Sequence, residues 1–138
     1  MIHRVSFRTF VAATEDEERV KEALSIFVPL DGISVASATG HYGNPIKIMD
    51  ATLKKRDGLG FFRILREQLP RVDLVRLRRE LPERVDEKSE LHFRLDKQAA
   101  FKGKVCLTDS RDAIVVTALI ESYPAKYEEA LRMAGELL

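Results

Sequence analysis

Hydrophobic and polar positions alternate from the second residue onward. His3, Val5, Phe7, Thr9 and Val11 fall on one side of a two-residue period, and Ile2, Arg4, Ser6, Arg8 and Phe10 on the other. This predicts a half-buried strand with Arg4 and Arg8 on its wetter side. The period then lengthens. Val20, Ala23, Leu24 and Phe27 recur at helical spacing behind the acidic run from Glu15 to Glu18, and Thr14 with Glu17 makes a capping box for that helix. Pro29, Asp31 and Gly32 end it, and β-branched Ile33 and Val35 begin a second strand that closes near Gly40. Ile46, Ile48 and Ala51 alternate with Lys47 and Met49 as a third strand, so residues 33–53 form a predicted hairpin.

The middle of the chain changes to helical patterning. Asp57 is placed to cap a helix whose apolar stripe is Leu59, Phe62, Leu65 and Leu69, ended by Pro70. Leu74, Leu77 and Leu81 make a second stripe surrounded by Arg76, Arg78 and Arg79, until Pro82 stops it. Three more strands follow: Leu91 to Leu95, Phe101 to Leu107, and Ile114 to Ile120, the last two joined at Asp109-Ser110-Arg111-Asp112. A final helix carries Tyr127, Ala130, Leu131 and Ala134, with Pro124 near its start. Strands separated by helices and then grouped as a meander imply an α+β fold, a two-layer sandwich with helices packed on one face of a largely antiparallel sheet. The other face must then meet water, RNA or another subunit.

Composition adds four constraints. One domain spanning residues 1–138 is expected at this length, and the 45% hydrophobic content is enough to enclose one core. No apolar run approaches the ~18 residues of a membrane span, and the N-terminus lacks the succession of a signal peptide, so a cytoplasmic protein without membrane contact is expected. Charged residues reach 33%, Asn44 is the single asparagine, and tryptophan is absent, a composition that suits a thermophile. Cys106 has no second cysteine to pair with and sits between Val105 and Leu107 as a packed residue.

Charge segregates along the chain. Residues 1–40 carry −2, residues 41–104 +6 and the remainder −3, which together make the net +1. A cationic middle interleaved with aromatic and glycine residues suits a polyanion such as RNA. Two groups stand out within it. In the first, Gly40-His41-Tyr42-Gly43-Asn44-Pro45 offers Tyr42 for stacking and Asn44 for a base edge beside His41, with Lys47, Lys54, Lys55 and Arg56 following. In the second, Lys97, Phe101, Lys102 and Lys104 follow Arg94; on a strand, Lys102 and Lys104 share a face and meet Lys47 across the sheet. With Arg8 added, the phosphate contacts predicted from sequence are Arg8, Lys47, Lys54, Lys55, Arg56, Lys97, Lys102 and Lys104.

Catalytic chemistry lacks its components. His3, His41 and His92 are far apart and a single cysteine rules out the usual zinc sets, so no metal is expected. There is no phosphate-binding Gly-Lys-Ser or Gly-Lys-Thr loop, and Gly58-Leu59-Gly60 lacks the third glycine of a dinucleotide fingerprint, so no cofactor and no enzyme activity are expected. Asp109 and Asp112 are turn residues first.

Gly40-His41-Tyr42-Gly43-Asn44-Pro45-Ile46, Arg84-Val85-Asp86-Glu87, Phe93-Arg94-Leu95-Asp96-Lys97-Gln98-Ala99-Ala100 and Tyr123-Pro124-Ala125-Lys126 together resemble an archaeal family of predicted RNA-binding, exosome-associated proteins, nearly end to end. The resemblance implies a fold similar to the large-subunit ribosomal protein that contacts 5S ribosomal RNA and an accessory role near RNA processing. It supplies no catalytic residues. Two function classes follow: a non-catalytic RNA-binding protein, or an adaptor whose open sheet face or apolar helix edges hold an exosome subunit or a second copy as a homodimer.

Overall fold

Five strands, β1 (Ile2–Val11), β2 (Ser34–Thr39), β3 (Pro45–Lys54), β4 (Glu90–Asp96) and β5 (Ala113–Ile120), form one sheet in the order β2-β3-β1-β5-β4. Every neighbouring pair is antiparallel. The coordinates are a computed structural model, and the structure describes residues 1–39, 43–122 and 126–138. Among the described residues six α-helices accompany the sheet, α1 (Glu17–Leu24), α2 (Lys55–Gln68), α3 (Arg71–Arg79), α4 (Leu81–Arg84), α5 (Lys97–Phe101) and α6 (Tyr127–Leu137), with a single 3-10 turn at Leu30–Gly32. The α+β architecture predicted from the pattern is the one observed, with the helical layer on one face of the sheet.

Alternation sets which face is buried. Val5, Phe7, Thr9 and Val11 of β1, Met49, Ala51 and Leu53 of β3, and Leu91, Phe93 and Leu95 of β4 face the helices and are buried. Phenylalanines fill the space between layers. Phe61 of α2 stands edge-on to Phe7, with ring centroids 4.9 Å apart, and lies parallel to Phe93 at 6.2 Å. Thr9, the one buried hydroxyl in these strands, donates to the Ala113 carbonyl at 3.1 Å, so its polarity is satisfied.

Several local expectations shift, each for a physical reason. Ile2 is buried and His3 exposed, the reverse of the simple alternation, because the β1–β5 register slips between Ile2 and Arg4. Asp16, not Thr14, caps α1 by accepting from the Glu18 N–H, while Glu15 accepts from the Ala12 N–H. Helix α2 begins directly at Lys55, so Asp57 lies in its first turn and is not its cap. Its buried stripe is Gly58, Phe61, Phe62 and Leu65, and Leu59 is turned outward. Pro70 ends α2 and is also the N-cap of α3, and Pro82 opens the short α4 instead of closing a longer helix.

The largest correction concerns residues 97–107. The predicted strand from Phe101 to Leu107 is absent: Lys97–Phe101 is helix α5, and Leu107 makes only an isolated bridge to Leu95. Asp96 caps α5 through the Ala99 N–H. Gly103, at φ +74, stops it, with Gly103 and Lys104 donating back to the carbonyls of Ala100 and Ala99. Cap, short helix and terminating glycine outweigh the apolar alternation that follows.

Candidate functional site

The uncovered face of the sheet is built from the other half of each alternation. Strand pairing orders its side chains into rows running across the strands. Lys54 of β3 lies opposite Arg4 of β1, which lies opposite Leu119 of β5 and then Glu90 of β4. The next row is Thr52, Ser6, Thr117 and His92. The third is Ser34, Asp50, Arg8, Val115 and Arg94. Beyond it Ala36, Ile48 and Phe10 form an apolar corner, with Phe10 43% exposed. A shallow trough of about 530 Å³ runs over Ser6, Arg8, Asp50, Thr52, Val115 and Thr117.

Charges on this face are partly held and partly free. Arg8 donates from Nε to Asp50 Oδ1 at 2.7 Å and from Nη2 to Oδ2 at 3.4 Å. That hydrogen bond, backed by the Asp50 charge, raises the guanidinium above its ordinary value. Arg4 and Lys54 have no ion pair among the described residues and lie directly opposite each other. Like charges placed so are unfavourable in a sheet unless an anion separates them. His92 Nε2 and Asp86 Oδ2 are 2.8 Å apart, with Thr117 Oγ1 3.4 Å from His92 Nδ1. Burial pushes the Asp86 carboxyl up, but His92 and the backbone N–H groups of Glu90 and Lys88 outweigh it and hold the group below its usual range.

The residues predicted as one basic stripe divide between the two faces. Lys54 and Arg8 share the open face. Lys55 and Arg56 are exposed at the start of α2, where the chain turns from β3. Lys55 adopts φ +42, a left-handed conformation that costs a lysine about 1–2 kcal/mol. Lys47 is on the opposite side, because Met49, Ala51 and Leu53 set the buried phase of β3 and carry Lys47 with them. Its ammonium donates to Glu17 Oε1 at 2.6 Å, and this bond lowers the Glu17 carboxyl.

The second basic group moves further from the prediction. Lys97 is fully buried, with its ammonium 2.6 Å from Asp112 Oδ1, 3.0 Å from Glu15 Oε1 and 2.9 Å from the Phe10 carbonyl oxygen. It ties α5 to the end of β1 and has nothing left for a phosphate. Phe101 is covered by the Arg19 guanidinium, 5.3 Å from its ring centre, and shares a groove with Lys102 beside α1. Lys104 follows Gly103 in the loop after α5, not on a strand across from Lys47. The two basic groups therefore do not converge. His41 and Tyr42 lie outside the described residues, and Asn44 is exposed just before β3.

Arg4, Phe10 and the Thr52–Ser6–Thr117 row were absent from the predicted contacts. Their signal was the polar phase of β1, which placed Arg4 and Arg8 together but could not name their neighbours. Burial and the charges of Asp73 and Asp96 push the Cys106 thiol up. Asp109 is held by Arg76, whose Nη2 lies 2.7 Å from both carboxylate oxygens, and Asp112 holds Lys97. Among the described residues no cluster of His, Cys, Asp and Glu is placed to hold a metal ion, and no helix is long and apolar enough to cross a membrane.

The chain is similar to proteins of known sequence and structure. A family model described as RNA binding matches residues 4–120. An RNA-binding protein of Pyrococcus abyssi is 34% identical over 99% of this chain and 93% of its own length. The crystal structure of a protein from Archaeoglobus fulgidus superposes with a TM-score of 0.89 at 37% identity, covering 100% of both chains. A DUF54 protein from Methanothermobacter thermautotrophicus gives 0.86 at 36% identity, covering 100% of this chain and 98% of that one.

Proposed function

The chain belongs to this RNA-binding family, and from that premise we propose that it binds RNA, without catalysis, on the open face of its sheet. The observation that carries the reading is the placement of Arg4 directly opposite Lys54, with no ion pair to either among the described residues. A phosphate between them turns a repulsive pair into a favourable one. Lys55 and Arg56 extend the cationic path past the end of β3, whereas Arg8 is held by Asp50 two rows away. Phe10, exposed beside Ile48 and Ala36, is the stacking platform for an unpaired base. Asn44 stands at the same end of β3 as that platform.

Anisotropy titration of a short single-stranded RNA tests this. If about four phosphates are contacted, log affinity falls with log salt at a slope near −3. Arg4→Glu with Lys54→Glu abolishes binding, whereas Lys47→Glu with Lys102→Glu leaves it nearly intact. Equal losses from both double variants, or affinity indifferent to salt, overturn the placement.

The finer role the family resemblance implies, an accessory factor of RNA processing or the exosome built as one domain, belongs to the same proposal. Co-purification with exosome subunits that resists ribonuclease tests it. One observation favours an adaptor role in addition. Helix α3 presents Val72 and Val75, 74% and 50% exposed, between the exposed Arg71, Arg78 and Arg79, a surface suited to an acidic and apolar protein segment. Loss of subunit capture in a Val72→Ser, Val75→Ser variant that still binds RNA would assign that role to α3.

A further inference from the structure

The trough over Ser6, Arg8, Asp50, Thr52, Val115 and Thr117 has a chemistry that phosphate binding does not use. We infer that it is a base-reading site for a single unpaired guanine. This rests on the RNA reading above and goes beyond it, because phosphate contacts carry no sequence information.

Asp50 orients Arg8 on the open face. Its two oxygens engage Nε and Nη2, fixing the guanidinium plane on the open face. The hydrogens of Nη1 and the outer hydrogen of Nη2 then form a donor fork beside a carboxylate that retains acceptor capacity. Guanine fits both halves of this arrangement. Its O6 and N7 are two neighbouring acceptors for an arginine fork, and its N1–H and N2–H are two neighbouring donors for a carboxylate. Adenine and uracil present neither two adjacent acceptors nor two adjacent donors on one pairing edge.

The surroundings suit a base and its sugar. Val115 of β5 lies beside Arg8 and gives the floor an apolar contact. The hydroxyls of Thr52, Ser6 and Thr117 form the neighbouring row and can each donate or accept, which suits the ribose 2′-OH. The cations Arg4 and Lys54 lie one row further along, where the phosphate joining this nucleotide to the next is held. The site is open, so it takes an unpaired nucleotide with both edges accessible and not a base enclosed in a duplex.

The test compares short oligouridylates that carry one central guanine, adenine, cytosine or uracil, by anisotropy competition at fixed salt. The guanine oligonucleotide binds about tenfold more tightly than the other three, the scale of one bidentate contact. Arg8→Lys keeps the charge but loses the fork, and Asp50→Asn loses the carboxylate. Both variants retain salt-dependent binding to plain oligouridylate while the guanine preference collapses to within about twofold. Thermal melting establishes that both are folded. Salt-dependent binding with equal affinity for all four, or a preference for cytosine, overturns the guanine site while the RNA reading stands. Absence of binding to every oligonucleotide overturns the RNA reading itself.

Discussion

The two faces of the sheet use the same alternation for opposite ends. On the helix side, Phe7 and Phe93 meet aromatic rings from the α1–β2 connection and α2 beside the buried Val5, Met49 and Leu53, and Lys97, the one buried charge among the described residues, is surrounded by three oxygens. On the open side, Arg4 faces Lys54 with no ion pair to either among the described residues, and an aromatic ring is left in water. The first arrangement minimises free energy within the chain. The second leaves electrostatic and apolar potential unspent, which is what a binding surface needs.

The contrast breaks first under truncation of aromatic rings. Phe61→Ala removes the ring that touches Phe7, Phe27, Phe62 and Phe93 and is expected to cost about 3–5 kcal/mol in denaturant unfolding. Phe10→Ala, on the open side, changes stability by less than about 1 kcal/mol but weakens RNA binding by the ~1–3 kcal/mol of one stacked base. Comparable stability losses at the two positions would erase the distinction between the faces.

Two further substitutions probe the helix side with effects of about 1–3 kcal/mol. Lys97→Met leaves the Phe10 carbonyl and two carboxylates without their shared donor, and unfolding midpoints fall accordingly. Gly58→Ala places a Cβ 2.8 Å from Cγ2 of Ile2 and 3.1 Å from Cγ2 of Val5, forcing α2 off β1. Gly60→Ala, with nothing within 4 Å, is the control and should stabilise by about 0.5–1 kcal/mol through helix propensity.

A smaller effect separates stability from binding at the β3–α2 turn. Lys55→Gly relieves the positive φ and raises the unfolding midpoint slightly, yet removes a cation and weakens RNA binding. Improved or unchanged binding would remove Lys55 from the interface. The least disruptive probe is acid. Glu17, Glu80 and Asp86 are all held below their ordinary values, Glu17 by Lys47 and Glu80 by Arg84 and Arg76. Depressed carboxylates contribute stability that is complete above their unfolded values, about pH 4, and lost as pH falls through the folded ones. Thermal midpoints measured from pH 7 to pH 2 should therefore be flat and then decline, and Glu80→Gln should soften the decline.

Much of the fold was legible because its determinants are local. Strand β1 announced itself by alternation, α1 by an acidic start and apolar spacing, and the α2–α3 boundary by Pro70. The failures came where two local signals competed. In β3, Ile46 and Ile48 occupy one phase and Met49, Ala51 and Leu53 begin in the other. Pairing with Thr9, Phe7 and Val5 decides for the second, which puts Lys47 on the helix side. After Asp96, an N-cap and a terminating glycine prevailed over residual alternation.

By itself the sequence determined the α+β class, the cationic middle of the chain and the outward phase of Arg4 and Arg8, because side-chain period, capping and charge are properties of neighbouring residues. Only the tertiary structure decided that Lys54 faces Arg4, that Asp50 holds Arg8, that Thr117 and Thr52 flank Ser6, and that Lys97 is an internal tie. These depend on which strands are neighbours and in what register, a choice made by burying the helix-side core as a whole. The open face inherits its chemistry from that choice.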